Sequence, residues 1–151
     1  MKLLLNAANG TMGQTHKLKV FKAVCCSMGL EDCNFLKDML VDSNINILHL
    51  EDNDLEPSLL ATVLSSLPRL SSLSIMDNQL DDSCCQLLSV NILQHPSVIT
   101  NLDLSHNDIN SRGLPHLVTA LRTAGKRLKR LNLSWNTLGP QSLHQLAQLV
   151  R

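Results

Sequence analysis

Asp103, Ser105 and His106 bring a carboxylate, a hydroxyl and an imidazole together within four residues, the three groups of a hydrolytic triad. His49, Glu51 and Asp52 offer an imidazole and two carboxylates, donors that suit a bound metal ion. A triad needs the hydroxyl on the imidazole and the carboxylate behind it. Residues two apart on a strand, such as Asp103 and Ser105, simply point the same way. No glycine-rich phosphate loop, nucleophile elbow or spaced ligand cluster accompanies either group. The expectation is no enzyme, no cofactor and no metal. The five cysteines form two adjacent pairs, Cys25-Cys26 and Cys84-Cys85, plus Cys33. An odd number without Cys-x-x-Cys spacing predicts reduced, buried thiols in an intracellular protein.

What positions these residues is a recurring phrase, Leu-x-x-Leu-x-Leu-x-x-Asn-x-Leu, with Ile allowed for Leu. It reads Ile45, Leu48, Leu50, Asn53, Leu55, and then Leu70, Leu73, Ile75, Asn78, Leu80. Two further copies are Ile99, Leu102, Leu104, Asn107, Ile109, and Leu128, Leu131, Leu133, Asn136, Leu138. The asparagines are 25, 29 and 29 residues apart, a period at which each repeat is one supersecondary unit stacked on its neighbours. A degenerate copy upstream is Leu18, Phe21, Ala23, Cys26, Met28, with cysteine at the asparagine position. The chain divides into residues 1–17, a partial repeat or lead-in with a Gly10 and Gly13 loop, and a repeat domain over 18–151.

Each part of the phrase has a physical reason. Leu-x-Leu alternates with period two, so both apolar side chains enter the core and the residue between them faces out. The asparagine falls where the chain leaves the strand, and its amide can satisfy backbone groups of that turn and of the neighbouring one. The rest of each unit has helical apolar spacing: Leu59, Leu60, Val63, Leu64 and Leu67; Leu87, Leu88 and Leu93; Leu114, Leu117, Val118 and Leu121; Leu143, Leu146, Leu149 and Val150. Parallel pairing of successive strands requires such crossovers. The expected fold is therefore an α/β solenoid, a short right-handed arc with parallel strands on the concave side and helices on the convex side. A chain of 151 residues with 44% hydrophobic content suits one continuous core. The apolar run Leu3 to Leu5 is too short for a signal peptide, and no run approaches membrane-spanning length.

The phrase resembles the leucine-rich repeat over residues 18 to 151, and its 29-residue units resemble the ribonuclease-inhibitor-like subclass, in which every repeat carries a full convex helix. The resemblance implies a non-catalytic protein-interaction module, a scaffold, an adaptor or a partner-recognition segment. It also covers regulatory segments of enzyme systems, such as GTPase regulators and ubiquitin-ligase substrate receptors, together with innate-immune receptors and ciliary or cytoskeletal scaffolds. The unpaired cysteines place the expectation in an intracellular setting, cytoplasmic first, with a nuclear or ciliary one left open.

Charge is ordered along the chain. All thirteen carboxylates lie between Glu31 and Asp108, a stretch whose only basic residues are Lys37 and Arg69. In a solenoid sequence order is spatial order, and strands about 4.8 Å apart against a Debye length of about 8 Å keep such blocks distinct. The candidate partner-binding residues on the concave face are His49, Glu51, Asp52, Met76, Asp77, Asp103, His106, Arg130, Asn132 and Trp135. An acidic centre predicts a protein partner with a basic segment, and neither nucleic acid, whose phosphates it repels, nor a membrane. Trp135 either anchors that partner or lies flat over its own repeat. The sequence reaches Val150 and Arg151 without a recognisable polar cap, so self-association through that edge is a further expectation.

Overall fold

The computed structural model describes residues 18–40, 43–64, 69–94, 99–123 and 128–150. The expectations for residues 1–17, Leu67 and Arg151 lie outside these. Among the described residues, five three-residue strands alternate with helices: β1 Val20–Lys22, α1 Leu30–Leu40, β2 Ile47–His49, α2 Pro57–Leu64, β3 Ser72–Ser74, α3 Asp82–Gln94, β4 Asn101–Asp103, α4 Leu114–Thr123, β5 Arg130–Asn132 and α5 Gln141–Leu146. A single 3-10 turn, Ala147–Leu149, follows α5. The strands form one parallel sheet in chain order, in a register that aligns Phe21, Leu48, Leu73, Leu102 and Leu131. The degenerate first copy is thus in register with the others. Among the described residues no helix is long and apolar enough to cross a membrane.

The core lies between sheet and helices. Leu48, Leu50, Leu73, Ile75, Leu102 and Leu104 enter it from the strands, and Leu60, Leu64, Leu88, Leu117 and Leu121 from the helices, all buried. Cys84 and Cys85 are core residues of α3, and Cys33, Leu36 and Leu40 those of α1. The α1 face was not singled out from sequence because the same helix turns Leu30 and Phe35 to solvent. Three leucines expected in the core are exposed instead: Leu18, Leu93 and Leu143, with Val150 beside them. Leu93 falls on the outward stripe of α3 together with Val90, a helical step that carries both away from the sheet. Leu18 starts the described part of the first repeat, whereas its equivalents Ile45 and Leu70 are buried between two repeats.

Asparagines stitch the repeats together. Asn78 Oδ1 accepts the backbone N–H groups of Asn53 and Leu55, each at 3.1 Å, and Asn107 Oδ1 accepts those of Asn78 and Leu80 at 3.1 and 2.9 Å. Asn136 Oδ1 accepts from Ile109 at 3.0 Å. Each Nδ2 group donates backwards to the preceding repeat, to Ala23, Leu50, Ile75 and Leu104 carbonyls in turn, and also to the carbonyl two residues before its own position. Both roles expected of the phrase's asparagine are filled. In the first repeat Cys26 keeps part of the pattern, its thiol donating to the Val24 carbonyl at 3.2 Å.

Candidate binding face of the sheet

The residues that face away from the helices fall into columns across the strands. The first is Val20, Ile47, Ser72, Asn101 and Arg130, and the second Lys22, His49, Ser74, Asp103 and Asn132, aligned by strand pairing. Beyond the assigned strands the ladder continues. Cys25, Asp52, Asp77 and His106 donate their amides to the carbonyls of Glu51, Met76, Ser105 and Ser134 on the next repeat. These residues and Trp135 make an outer column in which every member has a left-handed backbone, with φ between 53° and 58°. For residues other than glycine this conformation costs about 1 to 2 kcal/mol each, and here it recurs at one repeat position because the chain must turn off the sheet there.

Within this face the expected acidic centre is largely engaged by neighbours. Glu51, expected to point into solvent, is only 9% exposed, because its side chain folds across the strand and its Oε1 lies 2.7 Å from His49 Nδ1. Burial alone would raise its pKa, but the neighbouring Ser74 and the hydrogen-bonded His49 hold it below the ordinary glutamate value. Asp52 accepts the Cys25 thiol proton at 2.7 Å, and this bond keeps the exposed Cys25 thiol above its usual pKa. Cys25 is thus an exception to the expectation of buried thiols.

The triad-like group resolves in the same way. Ser105 is buried, and its Oγ donates to Asp103 Oδ1 at 2.6 Å while its N–H donates to the same atom at 3.0 Å. Asp103 Oδ2 accepts Asn132 Nδ2 at 3.0 Å, and Asn132 Oδ1 accepts from Ser134 as Asp103 does from Ser105. Burial would raise the Asp103 pKa, yet the bonds from Ser105 and Asn132 and the nearby His106 lower it. His106 faces elsewhere: its ring stacks on Trp135, with centroids 5.2 Å apart and an interplanar angle of 19°. The hydroxyl is therefore directed at the carboxylate, and the imidazole at an indole of the next repeat. Among the described residues no group of three or more His, Cys, Asp or Glu side chains could hold a metal ion.

All five outer-column residues are exposed. Asp77 is exposed, with its backbone amide bonded to Ser105, and Trp135 is 78% exposed despite its stack on His106. Met76 is half-buried beside Asp77, and Arg130 is exposed at the far end of the first column. Val20, Ile47, Ser72 and Asn101 complete that first column and were missed from sequence. The strict alternation around Leu48, Leu73 and Leu102 is the signal that would have found them.

Comparison with known proteins agrees with this architecture. The family pattern described as "Leucine Rich repeat" matches residues 95–114 and 128–147, the segments that build the fourth and fifth repeats of the sheet. The chain is a leucine-rich-repeat solenoid. It is 26% identical, over its whole length, to mouse NACHT, LRR and PYD domains-containing protein 4E. It is 32% identical, over 70% of its length, to human NACHT, LRR and PYD domains-containing protein 13. The chain spans 15% and 10% of the lengths of these two relatives. In this leucine-rich-repeat sheet the asparagine ladder sets the turn, and the turn aims Asp77, His106 and Trp135 along one line.

Proposed function

We propose that this chain is a non-catalytic protein-interaction segment of an intracellular leucine-rich-repeat protein of the ribonuclease-inhibitor-like subclass, with residues 18–151 forming the repeat domain and 1–17 leading into it. Its partner is a protein that lays a basic segment against the concave face. The observation that carries this reading is the outer column, where an exposed carboxylate at Asp77 and an exposed indole at Trp135 stand among hydrogen-bonded neighbours. A desolvated tryptophan supplies hot-spot area, and an exposed acid favours a cation on approach. The intracellular setting is supported by five free cysteines, which fit a reducing compartment.

The test is capture from cytosolic lysate by the parent, by Asp77→Lys and by Trp135→Ala, each first shown by circular dichroism to be folded. A protein retained by the parent and lost by both variants supports the reading. Equal retention by all three moves the interaction off this face.

A further inference from the structure

A buried charge stands beside an imidazole on the sheet face. Glu51 is nine-tenths buried, its Oε1 lies 2.7 Å from His49 Nδ1, and its Oε2 is buried with no hydrogen-bond partner among the described residues. Among those residues His49 is its one counter-charge. The carboxyl is held below the ordinary glutamate value, so at neutral pH it is ionised and can only accept. Nδ1 must therefore carry the proton of that bond. In the neutral ring the unprotonated nitrogen is then Nε2, which has no partner among the described residues and is open to solvent.

One proton at Nε2 changes two properties of the face at a single point. Without it the pair carries one negative charge and presents a hydrogen-bond acceptor. With it the pair is neutral and presents a donor. Imidazole is the side chain that ordinarily makes this change between about pH 5 and 8. Around the ring, the column neighbour from β1 is Lys22 and that from β3 is Ser74, while Glu51 and Asp52 belong to its own repeat and Asp77 to the next. Lysines and carboxylates ordinarily hold their charge across that window, so the change belongs to the imidazole. We infer that His49 makes the concave face a pH-sensitive surface, which binds a basic segment more tightly above the imidazole range than below it. The inference rests on the binding-face reading and adds its regulation.

The size of the effect follows from one unit charge. At about one strand spacing, 4.8 Å, and in a water-like dielectric, a charge gained at Nε2 changes the affinity for a cation by about threefold. The direction follows from sign, since a protonated ring repels a lysine that the anionic pair attracts. His106 is the other imidazole of the face and stacks on Trp135, so its titration has to be removed before that of His49 can be read.

The probe is capped hexalysine, titrated by calorimetry into the full chain at about pH 8 and about pH 5.5 in low salt, either side of the imidazole range. In a His106→Asn background the expected result is binding about threefold weaker at the lower pH. Adding His49→Asn, whose amide can still donate to Glu51, should abolish that loss. An equal loss with and without His49→Asn overturns the inference. A second measurement needs no variant. The proton–nitrogen correlation spectrum of the parent's imidazoles at about pH 8 should show His49 protonated on Nδ1 alone, and a proton on Nε2 instead overturns the inference as well. If hexalysine binds and Asp77→Lys weakens it while pH has no effect, the binding face stands and only its regulation fails. If hexalysine binds at neither pH, the face takes no basic segment and the underlying reading fails with it.

Discussion

Asn78 accepts through its Oδ1 the backbone N–H of Asn53 at 3.1 Å, so a side chain of one repeat closes the turn of the repeat before it. The same oxygen serves Leu55, and the Nδ2 group donates to Leu50 and Met76 carbonyls. Asn78→Ala therefore leaves several buried backbone groups without partners and should cost about 2 to 4 kcal/mol. Cys26→Ala, which removes only the thiol bond to the Val24 carbonyl, should cost about 1 kcal/mol or less. Urea titrations of both variants check the contrast. Comparable effects would mean that the ladder does not act between repeats.

This ladder was legible in the sequence because asparagine is chosen for its amide chemistry and recurs at a fixed offset from the core leucines. The core was legible for the same reason, since Leu48, Leu50, Leu102 and Leu104 follow a strict alternation. The face was less so. Alternation tells where a Cβ points but not how a long side chain then folds, and Glu51 lies down against His49 instead of standing in solvent. Nor do the residue types at Cys25, His106 and Trp135 signal a left-handed backbone. That conformation is imposed by the turn that the ladder closes.

The close approach of α3 to the loop before α4 makes Gly113 sensitive. A Cβ there would sit 2.6 Å from Asp82 Oδ1 and 2.8 Å from Asp82 Cα, and the same Oδ1 accepts the Asn110 amide at 2.9 Å. Since backbone must move to relieve the clash, Gly113→Ala should destabilise by about 1 to 3 kcal/mol. Thermal unfolding measures it, and an unchanged midpoint would show that the loop relaxes freely.

Thiol reactivity should separate the cysteines by repeat position. Cys33, Cys84 and Cys85 are buried, and burial pushes Cys33 up to about 11 and Cys85 up to about 12. In the native protein a thiol reagent should therefore reach Cys25 and Cys26 first, with the other three reacting only after unfolding. The bond to Asp52 holds the Cys25 thiol protonated, so Asp52→Asn should speed its alkylation at pH 8. A rate equal to the parent's would remove that bond from the solution structure.

Acid should weaken the fold through the carboxylates that are bonded on the sheet. The pKa values of Glu51 and Asp103 are lower in the native state than their ordinary values, so the native state binds fewer protons there than the unfolded chain. Their stabilisation is complete above the usual carboxylate range and is lost as pH falls through that range toward their lowered values. The urea midpoint should hold steady from neutral pH to about 5 and then drop. Asp103→Asn, which can keep an acceptor for Ser105, should make that drop shallower. A parallel drop in the variant would place the acid sensitivity elsewhere.

Binding kinetics should distinguish Asp77 from Trp135 in the outer column. Asp77 is exposed and acts at a distance, so Asp77→Lys should mainly slow association and reduce its dependence on salt. Trp135 contributes contact area that is buried only once the partner is seated, so Trp135→Ala should mainly speed dissociation. Because His106 stacks on that indole, His106→Ala should follow Trp135→Ala in the dissociation rate while leaving association near the parent value. Surface plasmon resonance with the captured partner resolves both rates. If Trp135→Ala and His106→Ala leave dissociation unchanged, the aromatic pair serves only to join the fourth and fifth repeats, and the partner is held by other columns of the sheet.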